Sequence, residues 1–179
     1  MRRITLIFLI TLIPCFINGE AVFSKGLAEN HYIPASLASE EEYLDILQVA
    51  LNFNVYTDFF KETTIIDGKL LSANANSFSD GLAFLSKGFS EDLAFNIINY
   101  HTYQNDSAQL AIIAKETIPI FTTANLPYTS FCHEEDRITL KVNYYDCYSL
   151  GDSYIYYITA YKDEDRYIIN DLQWEKVNP

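Results

Sequence analysis

The chain has 179 residues, 49% of them hydrophobic and 20% charged, which is enough apolar content for a packed core and argues against disorder. Its 24 acidic against 12 basic residues give a formal net charge of −12. That balance argues against nucleic acid, whose binding neutralises phosphates with Lys and Arg, and against anionic lipid or cell wall; it favours solubility or a basic partner.

Arg2 and Arg3 precede an apolar run from Ile4 to Ile13, and Pro14 follows. The run is too short to span a ~30 Å hydrocarbon core. A basic start, a short apolar stretch and the small residues Gly19 and Ala21 predict a secretory signal over residues 1–21. A retained anchor is one alternative. Another is a lipoprotein tethered through Cys15, because Leu12-Ile13-Pro14-Cys15 resembles a lipoprotein box at Leu12 and Cys15 but departs from it at Pro14. Simple secretion is the expectation. Without residues 1–21 the charge is about −13, with 10 basic and 23 acidic side chains. The 158 residues beyond Ala21 suit a single domain.

Residues 22–38 read as an extended leader. Ser39 and Glu42 form a capping box, and a helix is predicted to Lys61. Leu44, Leu47, Leu51 and Val55 share one face of it, widened by Tyr43, Ile46, Ala50 and Phe53. Asp67-Gly68 between apolar runs predicts a hairpin. Ser77 and Asp80 open a short helix to Lys87, with Gly88 as its left-handed cap. Ser90 opens a third helix, with Phe89 and Ala94 at staple positions. A strand is expected from Leu110 to Lys115, then an irregular crossing between Pro119 and Pro127. Alternation predicts strands over 137–146 and 154–161, with a turn at Gly151-Asp152 between them. Lys162–Arg166 reads as a polar turn, and a last strand runs from Tyr167 to Trp174. Residues 39–179 are therefore expected to form one α+β domain, with N-terminal helices packed on a curved C-terminal antiparallel sheet.

Leu110–Pro119, Pro127-Tyr128, Gly151–Tyr154 and Tyr167–Ile169 resemble an uncharacterised family of small exported or lipoprotein-like proteins from low-GC Gram-positive bacteria, over about residues 40–175. The layout also resembles the cystatin-like cone of the nuclear-transport-factor-two superfamily. This chain departs from it in having only the hairpin around Asp67-Gly68 where a long strand is usual. The superfold implies no single function. By analogy with small exported proteins of this layout, the resemblance implies an inhibitor of a cell-wall hydrolase as one concrete role.

No Gly-x-Ser-x-Gly element, protease-type cysteine signature or Gly-rich phosphate loop stands in the sequence. No catalytic residue, metal site or cofactor is assigned. His31 is expected in the exposed leader. His101 is expected to cap a helix C-terminus, and His133-Glu134-Glu135-Asp136 to form a solvated acidic turn. Cys132 and Cys147 form a possible disulfide only if the segment before Arg137 folds back along the strand. Fourteen tyrosines crowd toward the C-terminal strands. An outward row of Tyr145, Ile155, Tyr157, Tyr161 and Tyr167 is the candidate binding face, since tyrosine buries area yet keeps a polar tip. A non-enzymatic binding module with a protein partner is the expected function. A cone pocket that binds a small apolar ligand or carries out catalysis, and a structural envelope subunit, are the alternatives.

Overall fold

The computed structural model describes residues 31–105, 109–113, 119–147 and 152–177, which belong to one compact unit, His31–Pro179. The expected signal and most of the expected leader lie outside the described residues. The architecture is α+β.

The leader does not stay extended to residue 38. Strand β1 (Ile33–Pro34) pairs with β6 (Thr129–Glu134), and a 3-10 turn (Ala35–Leu37) buries Ala35. Helix α1 (Glu40–Lys61) starts at the expected capping box. The Ser39 hydroxyl accepts from the Glu42 N–H, and the Glu42 carboxylate accepts from the Ser39 N–H at 2.8 Å. That bond holds the Glu42 carboxyl below its ordinary pKa. The buried seam is not the leucine stripe. Ile46, Ala50 and Phe53 of the widened face do reach the core, joined by Val49, Tyr56 and Phe59, while Leu44 and Leu51 are 59% and 61% exposed. The observed spacing of three and four is still helical, but it is rotated toward the larger aromatic side chains.

Strands β2 (Thr63–Ile66) and β3 (Lys69–Ser72) form the expected hairpin, with Asp67 and Gly68 both at positive φ. That is what a two-residue turn between twisted strands requires. Helix α2 (Phe78–Leu85) begins at the Ser77–Asp80 capping box, and Ser90 caps α3 (Glu91–His101). Gly88 is not a left-handed cap, because among the described glycines only Gly68 has positive φ. A Cβ on Gly88 would lie 2.8 Å from the Asn52 carbonyl oxygen of α1. Glycine is needed there for close backbone approach. Strands β4 (Thr102–Gln104) and β5 (Leu110–Ile112) complete a small sheet in the order β2-β3-β5-β4.

The larger sheet runs β1-β6-β7-β8-β9, where β7 is Arg137–Cys147, β8 Asp152–Asp163 and β9 Arg166–Val177. From β6 onward it is an antiparallel meander. Strand β6 was not anticipated: it follows the expected crossing and takes up His133 and Glu134 of the expected acidic turn, whose other two residues, Glu135 and Asp136, do form the β6–β7 turn. The β8–β9 turn narrows to Glu164-Asp165, and Asn170 is an extra residue between the Ala160–Ile169 and Thr159–Asp171 pairs. Such a bulge bends the strand that carries it.

Cross-strand register sorts the two faces. Phe131, Leu140, Ile158 and Leu172 form one inner row, and His133, Ile138, Ala160 and Ile169 the next. They meet α1 in a core that also holds Phe53, Tyr56, Phe89 and Phe121. The Phe53 ring lies edge-on to Phe89 at 5.8 Å and to Phe121 at 6.4 Å. No helix among the described residues is long and apolar enough to cross a membrane.

Two stability effects follow. Gly88→Ala should cost about 1–3 kcal/mol, because backbone rather than a flexible side chain must yield; urea denaturation measures it. Glu42 has a lowered folded pKa, so its stabilisation is present above the unfolded value of 4.5 and is lost as pH falls through the folded pKa. Glu42→Gln should therefore be less stable than the parent at neutral pH, and the two should converge in acid, read by thermal denaturation across pH.

Candidate functional site

The outer face of the larger sheet carries four cross-strand rows. Asn143, Ile155 and Glu175 form the first; Ser130, Lys141, Tyr157 and Gln173 the second. Cys132, Thr139, Thr159 and Asp171 come next, and Glu134, Arg137, Tyr161 and Ile168 close the series. Every one of these residues is at least partly exposed, whereas Phe131, Ile138, Leu140, Val142, Tyr156, Ile158, Ala160, Tyr167 and Ile169 on the opposite face are buried.

Of the expected binding row, Ile155, Tyr157 and Tyr161 share this outer face on β8. Tyr145, 67% exposed, packs edge-on against Tyr128 at 6.1 Å, beside the bulge that ends regular β7–β8 pairing. Tyr167 does not belong to the row. It is 1% exposed and pairs with Lys162 on the inner side. The two-residue turn sets that parity: with Asp163 opposite Arg166, Tyr161 faces Ile168 and Tyr167 faces inward.

Several side chains unforeseen in the sequence complete the face. The Lys141 ammonium lies 5.8 Å from the centre of the Tyr32 ring, a cation–π contact. Arg137 pairs with Glu134 and hydrogen-bonds Tyr161. The Tyr157 hydroxyl donates to Glu175 at 3.2 Å, and burial together with that carboxylate pushes its pKa up to about 12. Glu134, Glu135, Asp136, Arg137 and Tyr161 line an open depression of about 520 Å³ at the end of the face. The outward parity of Ile168 depends on the length of the β8–β9 turn.

Cys132 is a free thiol. The segment before Arg137 does fold back, but the register sets Cys132 opposite Thr139, eight residues from Cys147 on the same strand. At ~3.3 Å per residue that is roughly 26 Å, far beyond the span of a disulfide. The Cys147 side chain itself lies outside the described residues. Burial and the Glu134 carboxylate raise the Cys132 pKa, which makes the thiol a poorer nucleophile.

The histidines separate into three environments. His31 is exposed, as expected. His101 is the last residue of α3, at the helix C-terminus as expected, but it is 3% exposed and sits edge-on to Tyr56, Phe60 and Tyr100 at 6.1, 5.2 and 4.8 Å, so it is a core side chain as well. His133 is not in a turn. Its Nε2 lies 2.7 Å from the Tyr167 hydroxyl and 3.9 Å from Asp45 Oδ2 of α1. Burial raises the Asp45 pKa against the opposing effect of His133, and burial with the nearby Asp45 carboxylate pushes the Tyr167 phenol up to about 12. Sequence gave no sign of this cluster, because its members come from α1, β6 and β9. It joins three elements and lies on the side of the sheet that α1 covers. Among the described residues, no group of three or more His, Cys, Asp or Glu is arranged to hold a metal ion.

A second inner cluster sits toward the other end of the strands. The Tyr156 ring lies 6.1 Å from Tyr144 and 6.2 Å from Trp174. The Tyr144 hydroxyl donates to the Ile120 carbonyl, whereas the buried Tyr156 hydroxyl has no hydrogen-bond partner among the described residues.

No protein-family model and no curated protein matches this chain.

Tyr167→Phe removes the hydroxyl that meets His133 while keeping the ring. A loss of about 0.5–1.5 kcal/mol is expected in urea denaturation. Alkaline ultraviolet titration of the variant should lack one phenol ionising near pH 12.

Proposed function

We propose that this protein is an exported, non-enzymatic binding module that engages a protein partner through the outer face of its larger sheet. The observation that carries this reading is the contrast between the two faces. The inner face is filled by α1 and aromatic core residues, while the outer face keeps Ile155, Tyr157 and Tyr161 accessible beside Arg137 and Lys141. Tyrosine and arginine are the residue types that anchor protein interfaces. The acidic balance suits a basic partner, and a cell-wall hydrolase outside the cell is the concrete candidate. Export rests on the N-terminal segment, and the cystatin-like layout is compatible with the role.

The test compares the parent with Ile155→Lys and Tyr161→Ala, each folded by circular dichroism. Binding to a cationic cell-wall muramidase is measured by calorimetry, alongside inhibition of wall lysis. Each variant should weaken binding by about tenfold or more. Equal binding by parent and both variants would remove the sheet face as the contact surface. No binding by the parent would remove the hydrolase version.

A second reading is a small-ligand site at Tyr156, favoured by its buried hydroxyl, which lies between Tyr144 and Trp174 with no partner among the described residues. Trp174 is the sole tryptophan, so its fluorescence reports on that cluster directly. Saturable quenching by a neutral aromatic ketone, lost in Tyr156→Phe, is the result this reading requires.

A further inference from the structure

The two sheets have four edges, and three of them are protected against pairing with another chain. Strand β1 is two residues long and contains Pro34. Strand β4 is three residues long. The first half of β9 is already satisfied. Gln48 accepts from the Tyr167 N–H and Asn52 donates to its carbonyl, while Gly88 and Ser90 bond both groups of Ile169. The second half of β9 follows a bulge and carries Asp171, Glu175 and Lys176. Short length, proline, bulges and charge are the devices by which proteins blunt sheet edges.

Strand β2 is short as well, at four residues, but it carries no proline, bulge or charge. It is Thr63-Thr64-Ile65-Ile66, four uncharged, β-branched residues at the end of its sheet. Such residues favour extended pairing. Ile65 is 72% exposed and Ile66 47%, and alternation directs them to opposite faces of the sheet. Part of the backbone is aimed outward as well. The Glu62 carbonyl accepts from Ala73 N–H, on the β3 side. Alternation then turns Thr64 and Ile66 toward β3, and turns the N–H and C=O of Thr63 and Ile65 outward.

We infer that β2 is a self-association edge, and that its partner is β2 of a second copy of this chain, paired antiparallel about a two-fold axis at Ile65. An isologous contact needs a self-complementary surface. Ile65 meets its own copy, and Ile66 of each chain meets Thr64 of the other. Charge complements the arrangement: Lys61 precedes the strand and Asp67 follows it, so antiparallel pairing brings each lysine toward the other chain's aspartate. Glu62, the other flanking acid, is turned to the Asn74 side-chain amide at 2.9 Å. Four residues per chain bury much less than the ~1,600 Å² of a standard stable interface. The dimer is therefore weak and dissociates on dilution. Pairing joins two small sheets into one eight-stranded sheet.

Sedimentation velocity on the full chain, from low micromolar to near-millimolar concentration, tests the inference. The expected result is a monomer–dimer equilibrium in the parent. Ile65→Lys, which sets like charges across the two-fold axis, should raise the dissociation constant by about tenfold or more. Ile66→Glu is a second variant should the first fail to fold by circular dichroism. Glu175→Lys, on β9, should associate as the parent does. A parent that stays monomeric throughout, a folded β2 variant that associates like the parent, or dissociation by the β9 variant instead would each overturn it.

Discussion

Two side-chain amides one turn apart on α1 take the place of a neighbouring strand at Tyr167. Gln48 Oε1 accepts from the Tyr167 N–H at 3.0 Å, and Asn52 Nδ2 donates to its carbonyl at 2.7 Å. Buried backbone groups must be paired somewhere, and this pairing fixes the height of α1 against β9. The same Asn52 presents its carbonyl to Gly88, and Gly88 in turn bonds Ile169. Helix α1, the α2–α3 connection and β9 therefore meet at one point. Once that point is fixed, the Ile46–Phe59 seam lies on the inner face of the sheet, and the outer face is the one left to solvent.

Much of this was legible from local chemistry. Ser39, Ser77 and Ser90 announced their helices because a capping hydroxyl acts within three residues of the helix it starts. Asp67-Gly68 announced its hairpin, because positive φ is a local demand. Alternation in β7 and β8 separated the faces correctly. What failed was information carried by distant contacts. The apolar surface of α1 is so broad that leucine spacing did not identify the buried side, and Phe53, Tyr56 and Phe59 settled it by filling the curved sheet. Tyr167 was misplaced because a five-residue turn leaves strand parity open, whereas the actual two-residue turn fixes it. Strand β6 was missed because His133-Glu134 reads as turn chemistry until β7 is present to pair with it.

The candidate site divides in the same way. Ile155, Tyr157 and Tyr161 were legible because they sit on one strand at period two. Lys141, Tyr32, Arg137 and Ile168 join them only through register, from three other segments of the chain. The Asp45–His133–Tyr167 cluster is the extreme case, since no two of its members are close in sequence. Its geometry favours a fastening role. One imidazole nitrogen meets both partners, and the three residues tie the first turns of α1 to β6 and to the start of β9. A hydrogen-bonded group held between a helix and two strands gains order from its neighbours.

The two surfaces left unsatisfied differ in kind, and that difference orders their roles. On the outer face of the larger sheet, backbone groups are bonded within the meander, so a partner there meets only side chains: aromatic rings, one lysine, one paired arginine and a rim of carboxylates. Recognition by such a surface depends on the matching chemistry of the other protein. On β2 the offer is mainly backbone, with two isoleucines and no charge. Main-chain pairing discriminates little between partners, and a second copy of the same strand is always present at the chain's own concentration. The side-chain face therefore fits the proposed heterologous partner, and the β2 edge the proposed self-association; the two proposals rest on different sheets and on different chemistry.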